Sequence, residues 1–145
     1  MKRFVAATDG SEGANRAIDV AAELAKAVGG SLHILNVAGN LSGEALDEVM
    51  RSASLEKNVG DIIDSHSRGI LIAAAERARR LGALDVHTQS AWGDPAEKIL
   101  EFAQSVRADA IAVGKRGQGR LAGLLLGSVS QKVVSLAPRV VIVVP

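Results

Sequence analysis

Between residues 113 and 130 the chain reads Val-Gly-Lys-Arg-Gly-Gln-Gly-Arg-Leu-Ala-Gly-Leu-Leu-Leu-Gly-Ser-Val-Ser. Three kinds of residue there suit an anion. Gly114, Gly117 and Gly127 carry no side chain to keep a phosphate away from backbone N–H groups. Lys115, Arg116 and Arg120 add positive field. Ser128 and Ser130 offer hydroxyls where a helix starts near Ser128, and a helix N-terminus favours negative charge. Glycines alone would read as a pliable crossover loop. Glycine, base and hydroxyl together at a helix start read as an anion site.

Two common phosphate loops do not fit. A P-loop needs Gly-Lys followed by Ser or Thr, and here Gly114-Lys115 is followed by Arg116. A dinucleotide fingerprint needs Gly-x-Gly-x-x-Gly after the first strand of its unit. Here Gly117 and Gly119 are followed by Gly123, one residue too far, and after the fourth strand. Hydride transfer is unsupported. No paired nucleophile and general base emerges, because Ser128 and Ser130 lack an activating partner visible in the sequence. Asp9 reads as a turn or capping residue unless the loop gives it a ligand. Asp109 reads as a cap on the fourth strand, and Asp94 and Glu97 as a capping box. His33 reads as a core histidine, His66 and His87 show no chemical partner, and Trp92 reads as core or pocket rim. No metal site and no catalytic residue is expected from the residues themselves.

The elements that must hold this loop follow from periodicity. Residues 3–8 read as a buried strand and Ser11 as an N-cap. Ala14, Ile18, Ala21, Ala22, Ala25 and Val28 recur at helical spacing up to Gly29-Gly30. Residues 31–38 form a second strand, so the first unit is strand–helix–strand with parallel pairing. Residues 39–58 are the least readable; Leu46, Val49, Met50 and Ala53 suggest a helix that breaks near Asn58-Val59-Gly60 or runs on. A long helical pattern follows, from Ile62 to Leu81, closed by Gly82. Residues 84–91 form the third strand. Asp94-Pro95-Ala96-Glu97 starts another helix, with Ile99, Leu100, Ala103 and Val106 on its buried face. Residues 108–113 and 139–144 complete five strands. Their runs are apolar, which predicts strands covered on both faces. The expected fold is an open, doubly wound α/β domain spanning residues 1–145, with helices on both faces of a parallel sheet.

Composition narrows the function further. A chain of 145 residues buries roughly two-thirds of its unfolded surface and needs no disulfide or metal staple. It has no cysteine, which excludes thiolate metal sites and cysteine catalysis. Its aromatic residues, Phe4, Trp92 and Phe102, are too few to stack successive bases, so no nucleic-acid partner is expected. No apolar run approaches the 18 or so residues of a membrane span. Met1 opens into a strand-like segment with no signal-peptide pattern, and the expected location is cytoplasmic. The net charge of +1 hides an asymmetry: residues 110–145 contain Lys115, Arg116, Arg120, Lys132 and Arg139 and no acid. A small anion suits such a segment.

The spacing Gly-x2-Gly-x9-Gly-Ser, from Gly114, Gly117, Gly127 and Ser128, resembles the ATP-binding loop of the universal stress protein family. The resemblance covers essentially the whole chain. It includes Val-Ala-Ala-Thr-Asp-Gly-Ser-Glu-Gly at 5–13, Ala-Asp-Ala-Ile-Ala-Val-Gly-Lys-Arg-Gly at 108–117, and Ala-Pro-Arg-Val-Val-Ile-Val-Val at 137–144. It implies a five-stranded parallel sheet in the order 3-2-1-4-5, with ATP, with or without Mg2+, at the C-terminal ends of strands one, two and four. Asp9 would sit beside the ribose and phosphates, with Ala7 where the family often has proline. Val37 would offer backbone groups to the adenine edge. Gly114 to Gly117, with Lys115 where serine is frequent, would line the ribose and phosphates. Gly127, Ser128, Val129 and Ser130 would hold the phosphate tail. It also implies a homodimer paired through Val140–Val144. The expected function is nucleotide binding with little or no turnover. The alternatives are slow ATP hydrolysis or autophosphorylation, and a protein-interaction module that binds no nucleotide. Related ATP pyrophosphatases carry Ser-Gly-Gly-x-Asp-Ser after the first strand, and here that place reads Thr-Asp-Gly-Ser-Glu-Gly.

Overall fold

The computed structural model describes residues 1–39, 43–52, 58–116 and 126–145. Strands and helices alternate along the chain. They are β1 (Arg3–Ala7), α1 (Glu12–Val28), β2 (Ser31–Ala38), α2 (Gly43–Ser52), α3 (Val59–Arg80), β3 (Asp85–Trp92), α4 (Pro95–Ser105), β4 (Ala110–Gly114), α5 (Ser128–Leu136) and β5 (Val140–Val144). The five strands form one parallel sheet in the order β3-β2-β1-β4-β5.

Local chemistry sets the helix ends. Ser11 Oγ accepts the Ala14 amide and starts α1, while Gly29, at φ +64°, ends it in the left-handed conformation. Asn58 caps α3 through the Asp61 amide, so the chain breaks there between α2 and α3 and does not run through. Asp94 accepts the Glu97 amide with Pro95 at the first helical position of α4.

The two sheet faces carry separate cores. Phe4, Ala6, Leu32 and Ile34 pack with Ile18 and Ala21 of α1 and with Leu71, Ala74 and Ala78 of α3. Val5, Leu35, Ile111 and Val113 pack with Ile99, Phe102 and Ala103 of α4 and Val133 of α5. Alternate side chains of β1 and β2 therefore face opposite layers, and the sheet is doubly wound.

One expectation fails at the sheet margin. The third strand reads as covered on both faces, yet β3 is the sheet's edge and most of its residues are exposed. Leu84, the first residue of the strand expected at 84–91, is 96% exposed and lies before β3. The polar run His87-Thr88-Gln89-Ser90 marks a strand with only one hydrogen-bonded neighbour. Trp92 is half-exposed, with its indole N–H donating to Asp64 at 3.2 Å, so it is not a core residue.

Candidate functional site

The strand order creates a switch point. From β1 the chain crosses through α1 to β2 on one side, and β4 lies on the other side of β1. Open α/β sheets bind ligands in the crevice beyond the C-terminal ends of the strands at such a point. The residues singled out from the sequence gather at this end of the sheet. Asp9 follows β1, Val37 is near the end of β2, Gly114 ends β4, and Lys115 and Arg116 follow it. Gly117 and Arg120 lie outside the described residues.

The β1–α1 turn is built by short polar bonds. Asp9 Oδ1 accepts the Ser11 amide at 2.9 Å, and Thr8 Oγ1 accepts the Gly10 amide at 3.1 Å. Gly10, at φ +83°, allows the reversal. Ala7 and Val37 face the α4/α5 layer, both half-buried. Val129, the second residue of α5, packs against the same core.

The two described ends of the β4–α5 connection are tied to each other and to β5. The Lys115 amide donates to the Val144 carbonyl at 2.7 Å, and the Gly127 amide to the Lys115 carbonyl at 2.8 Å. Ser130, buried, donates its hydroxyl to the Lys115 carbonyl at 2.8 Å and lies 3.1 Å from that of Gly127. Its hydrogen is thus engaged in tying the Lys115 carbonyl to the start of α5, while Ser128, at the first position of α5, is exposed. Gly127 is the N-cap of α5 and supplies no side-chain cap. Among the described residues no side chain caps the first turn of α5, which carries the positive end of the helix dipole. Among the described residues neither Lys115 nor Arg116 has an ion pair.

Gly114 has a packing role that the sequence did not reveal. A Cβ there would lie 2.8 Å from the Gly13 carbonyl carbon, and a Cβ on Gly13 would lie 2.6 Å from the Arg116 carbonyl oxygen. The missing side chains let the first turn of α1 close against the end of β4. At Gly127 a Cβ would meet only ordinary contacts, 3.4 Å from Arg116 Cα.

Residues outside the loop find structural partners. Asp109 Oδ2 accepts the amides of Lys2 and Arg3 at 2.7 and 2.8 Å, which lock β1 to the start of β4. Those bonds hold its carboxyl below the usual range. His87, for which the sequence offers no partner, lies 2.6 Å from Asp85 and stacks on His33. Among the described residues no three histidines or carboxylates converge as metal ligands. A separate opening of about 400 Å³ lies on the α1/α3 side of the β1–α1 turn, lined in part by Thr8, Asn15, His66, Arg77 and Arg80. Asp19 engages Arg77 there in a bidentate pair at 2.5 and 2.8 Å.

The sequence model of the universal stress protein family matches residues 1–145. The chain belongs to that family. A universal stress protein of Thermus aquaticus is 35% identical over 150 residues, covering 99% of this chain and 98% of that one. The solved structure of a universal stress protein in complex with cAMP superposes with a TM-score of 0.76 at 28% identity, covering 99% of this chain and 97% of the other. The universal stress protein from Archaeoglobus fulgidus, in complex with dAMP, gives 0.70 at 26% identity, covering 100% and 98%. No helix among the described residues is long and apolar enough to cross a membrane.

Proposed function

We propose that this universal stress protein is a regulatory adenine-nucleotide-binding protein of the cytoplasm that takes ATP with little or no turnover. The observation that carries this reading is the start of α5. Its uncapped first turn opens at the switch-point crevice beside Lys115 and Arg116, two bases without ion pairs among the described residues. Backbone amides and a helix dipole suit a phosphate, and two cations suit more charge than one phosphate carries. The family relatives solved with cAMP and dAMP support an adenine nucleotide as the ligand class.

The residues present fit the ligand. Lys115, Arg116, Gly127 and Ser128, with the Val129 amide, would hold the phosphates, and Ser130 would keep the loop closed around them. Asp9 and Gly114 would border the ribose. Ala7 and the backbone of Val37 would flank the adenine. Gly117 and Arg120 complete the proposed set. A bound ATP supplies a polyanion that neutralises this basic segment. Any Mg2+ would arrive with the phosphates, and Asp9 is its proposed protein contact.

Ser128→Asp tests the reading with opposite signs for fold and ligand. A carboxylate at the first position of α5 stabilises the helix by its dipole and repels phosphate. Isothermal titration with Mg-ATP is expected to show binding to the wild-type protein and at least about tenfold weaker binding to the variant. The variant's melting temperature should be unchanged or raised. No binding by the wild type at millimolar nucleotide would overturn the proposal and favour the interaction-module alternative.

We also propose a homodimer through β5. This strand is an apolar edge whose first residue, Val140, is 49% exposed, and Val134 and Leu136 of α5 are 43% and 57% exposed. Such a margin suits pairing with a second copy across a two-fold axis.

A further inference from the structure

We propose that Asn36, together with Ser67 and Ser90, positions the nucleotide crevice by fixing the C-terminal end of β1 against β2. The inference rests on the nucleotide-binding reading above.

Three buried polar residues, Thr8, Asn36 and Ser67, are 5%, 5% and 2% exposed. They come from the residue after β1, from β2 and from α3, and they meet on the α1/α3 side of the sheet. Asn36 Nδ2 donates to the Thr8 carbonyl at 2.8 Å, and Ser67 Oγ donates to Asn36 Oδ1 at 2.6 Å. Ser90 Oγ on β3 lies 2.9 Å from Ser67 Oγ.

Every proton in this relay has one direction. A carbonyl only accepts, so the Asn36 amino group must face Thr8 and its oxygen must face Ser67. Ser67 has one hydroxyl hydrogen, spent on Asn36, so Ser90 donates to Ser67. The relay therefore runs from the exposed edge strand to a single buried carbonyl. Leaving any of these groups unpaired in the interior carries a desolvation penalty, so the arrangement is strongly determined.

The anchored atom matters because of its surroundings. Thr8 precedes Asp9, and its side-chain oxygen holds the Gly10 amide. The Thr8 amide itself donates to the Leu35 carbonyl at 2.9 Å, which extends the β1–β2 ladder one residue beyond β1. Asn36 precedes Val37. One side chain thus ties together the two strand ends that present Asp9 and Val37, while facing away from the ligand. Asn36 and Ser67 are positioning residues and would not touch the nucleotide.

The test uses Asn36→Asp, which keeps the shape and the acceptor for Ser67 but places a carboxylate oxygen against the Thr8 carbonyl. Ser67→Ala serves if that variant fails to fold, because it releases the Asn36 amide without adding charge. Asp109→Ala is the control, removing two bonds to backbone at the opposite end of the sheet. Two readouts are needed: Mg-ATP affinity by titration, and hydrogen exchange of the Gly10 and Ser11 amides in the nucleotide-free protein. Asn36→Asp or Ser67→Ala is expected to weaken binding about tenfold and to speed exchange at both amides by a similar factor. Asp109→Ala is expected to lower the melting temperature with neither effect. An affinity loss no greater than in the control overturns the proposal. So does an affinity loss without faster exchange, since the effect would then bypass the turn. If the wild type binds no nucleotide, the functional reading falls by itself. The exchange measurement then decides whether Asn36 positions the turn, and unchanged exchange overturns that claim.

Discussion

At His33 the protein stacks one imidazole on another. The rings of His33 and His87 lie 4.7 Å apart and 11° from parallel, and Phe102 meets His33 edge-on at 6.4 Å. Burial lowers the His33 pKa most, His87 lowers it further, Asp85 pulls the other way, and Arg3 adds the smallest lowering. The folded protein therefore prefers the neutral ring. Between its folded pKa and the ordinary value of about 6.5 the unfolded chain binds more protons, so this contribution to stability rises with pH there. It is whole above about 6.5 and is lost as pH falls from there to the folded value. Melting curves should be flat near neutrality and decline below it, and His33→Gln should flatten that decline. An equally steep decline in the variant would exclude His33 as its source. Asp94 and Asp109 are held below the usual carboxylate range by backbone amides, so their contributions are whole above that range and are lost as pH falls below it. At this scale the capping residues Ser11 and Asp94 were legible because a cap and its helix are neighbours in sequence. The His33–His87 stack and the Asn36–Ser67 bond were not, since each depends on strand register or on a helix folding back across the sheet.

The glycine pair Gly13 and Gly114 shows what elements require of each other. The sequence reads Gly114 as room for a phosphate, and the structure shows it also as room for the first turn of α1. Its partner is about a hundred positions away, so local pattern could not show the contact. Gly114→Ala should force β4 and α1 apart. Overpacking of this kind costs about 1–3 kcal/mol, to be read from urea unfolding, and a loss below about 0.5 kcal/mol would mean that the two elements can separate freely. The five strands and the helices between them were legible because apolar runs and caps punctuate the chain clearly, whereas their order followed only from the family resemblance. The exposure of β3 was missed although its polar centre, His87 to Ser90, was visible: alternation of elements identified a strand, but only the sheet order placed it at a margin. The break at Asn58 is similar, since an asparagine that caps a helix and one inside a helix look alike until the backbone geometry separates them.

For the whole molecule, the two margins of the sheet differ in chemistry. Native mass spectrometry of the wild type at micromolar concentration should give about twice the 15.0 kDa chain. Leu136→Lys combined with Val140→Lys should leave single chains that remain folded, because both side chains are already largely exposed. A wild-type protein found only as single chains would remove the β5 pairing. The loop and its spacing suggest a ligand from sequence alone, and the basic segment, the switch point and the uncapped α5 support the proposed site in physical terms; Gly117 and Arg120 lie outside the described residues.

The wet margin has a consequence of its own. β3 presents His87, Gln89 and Asp85 to water, whereas β5 presents valines. If β5 pairs with a second copy as proposed, that pairing uses up the adhesive border, the hydrated border adds no further copies, and growth into a filament stops at two. A cell could then accumulate this chain to high concentration without seeding fibres.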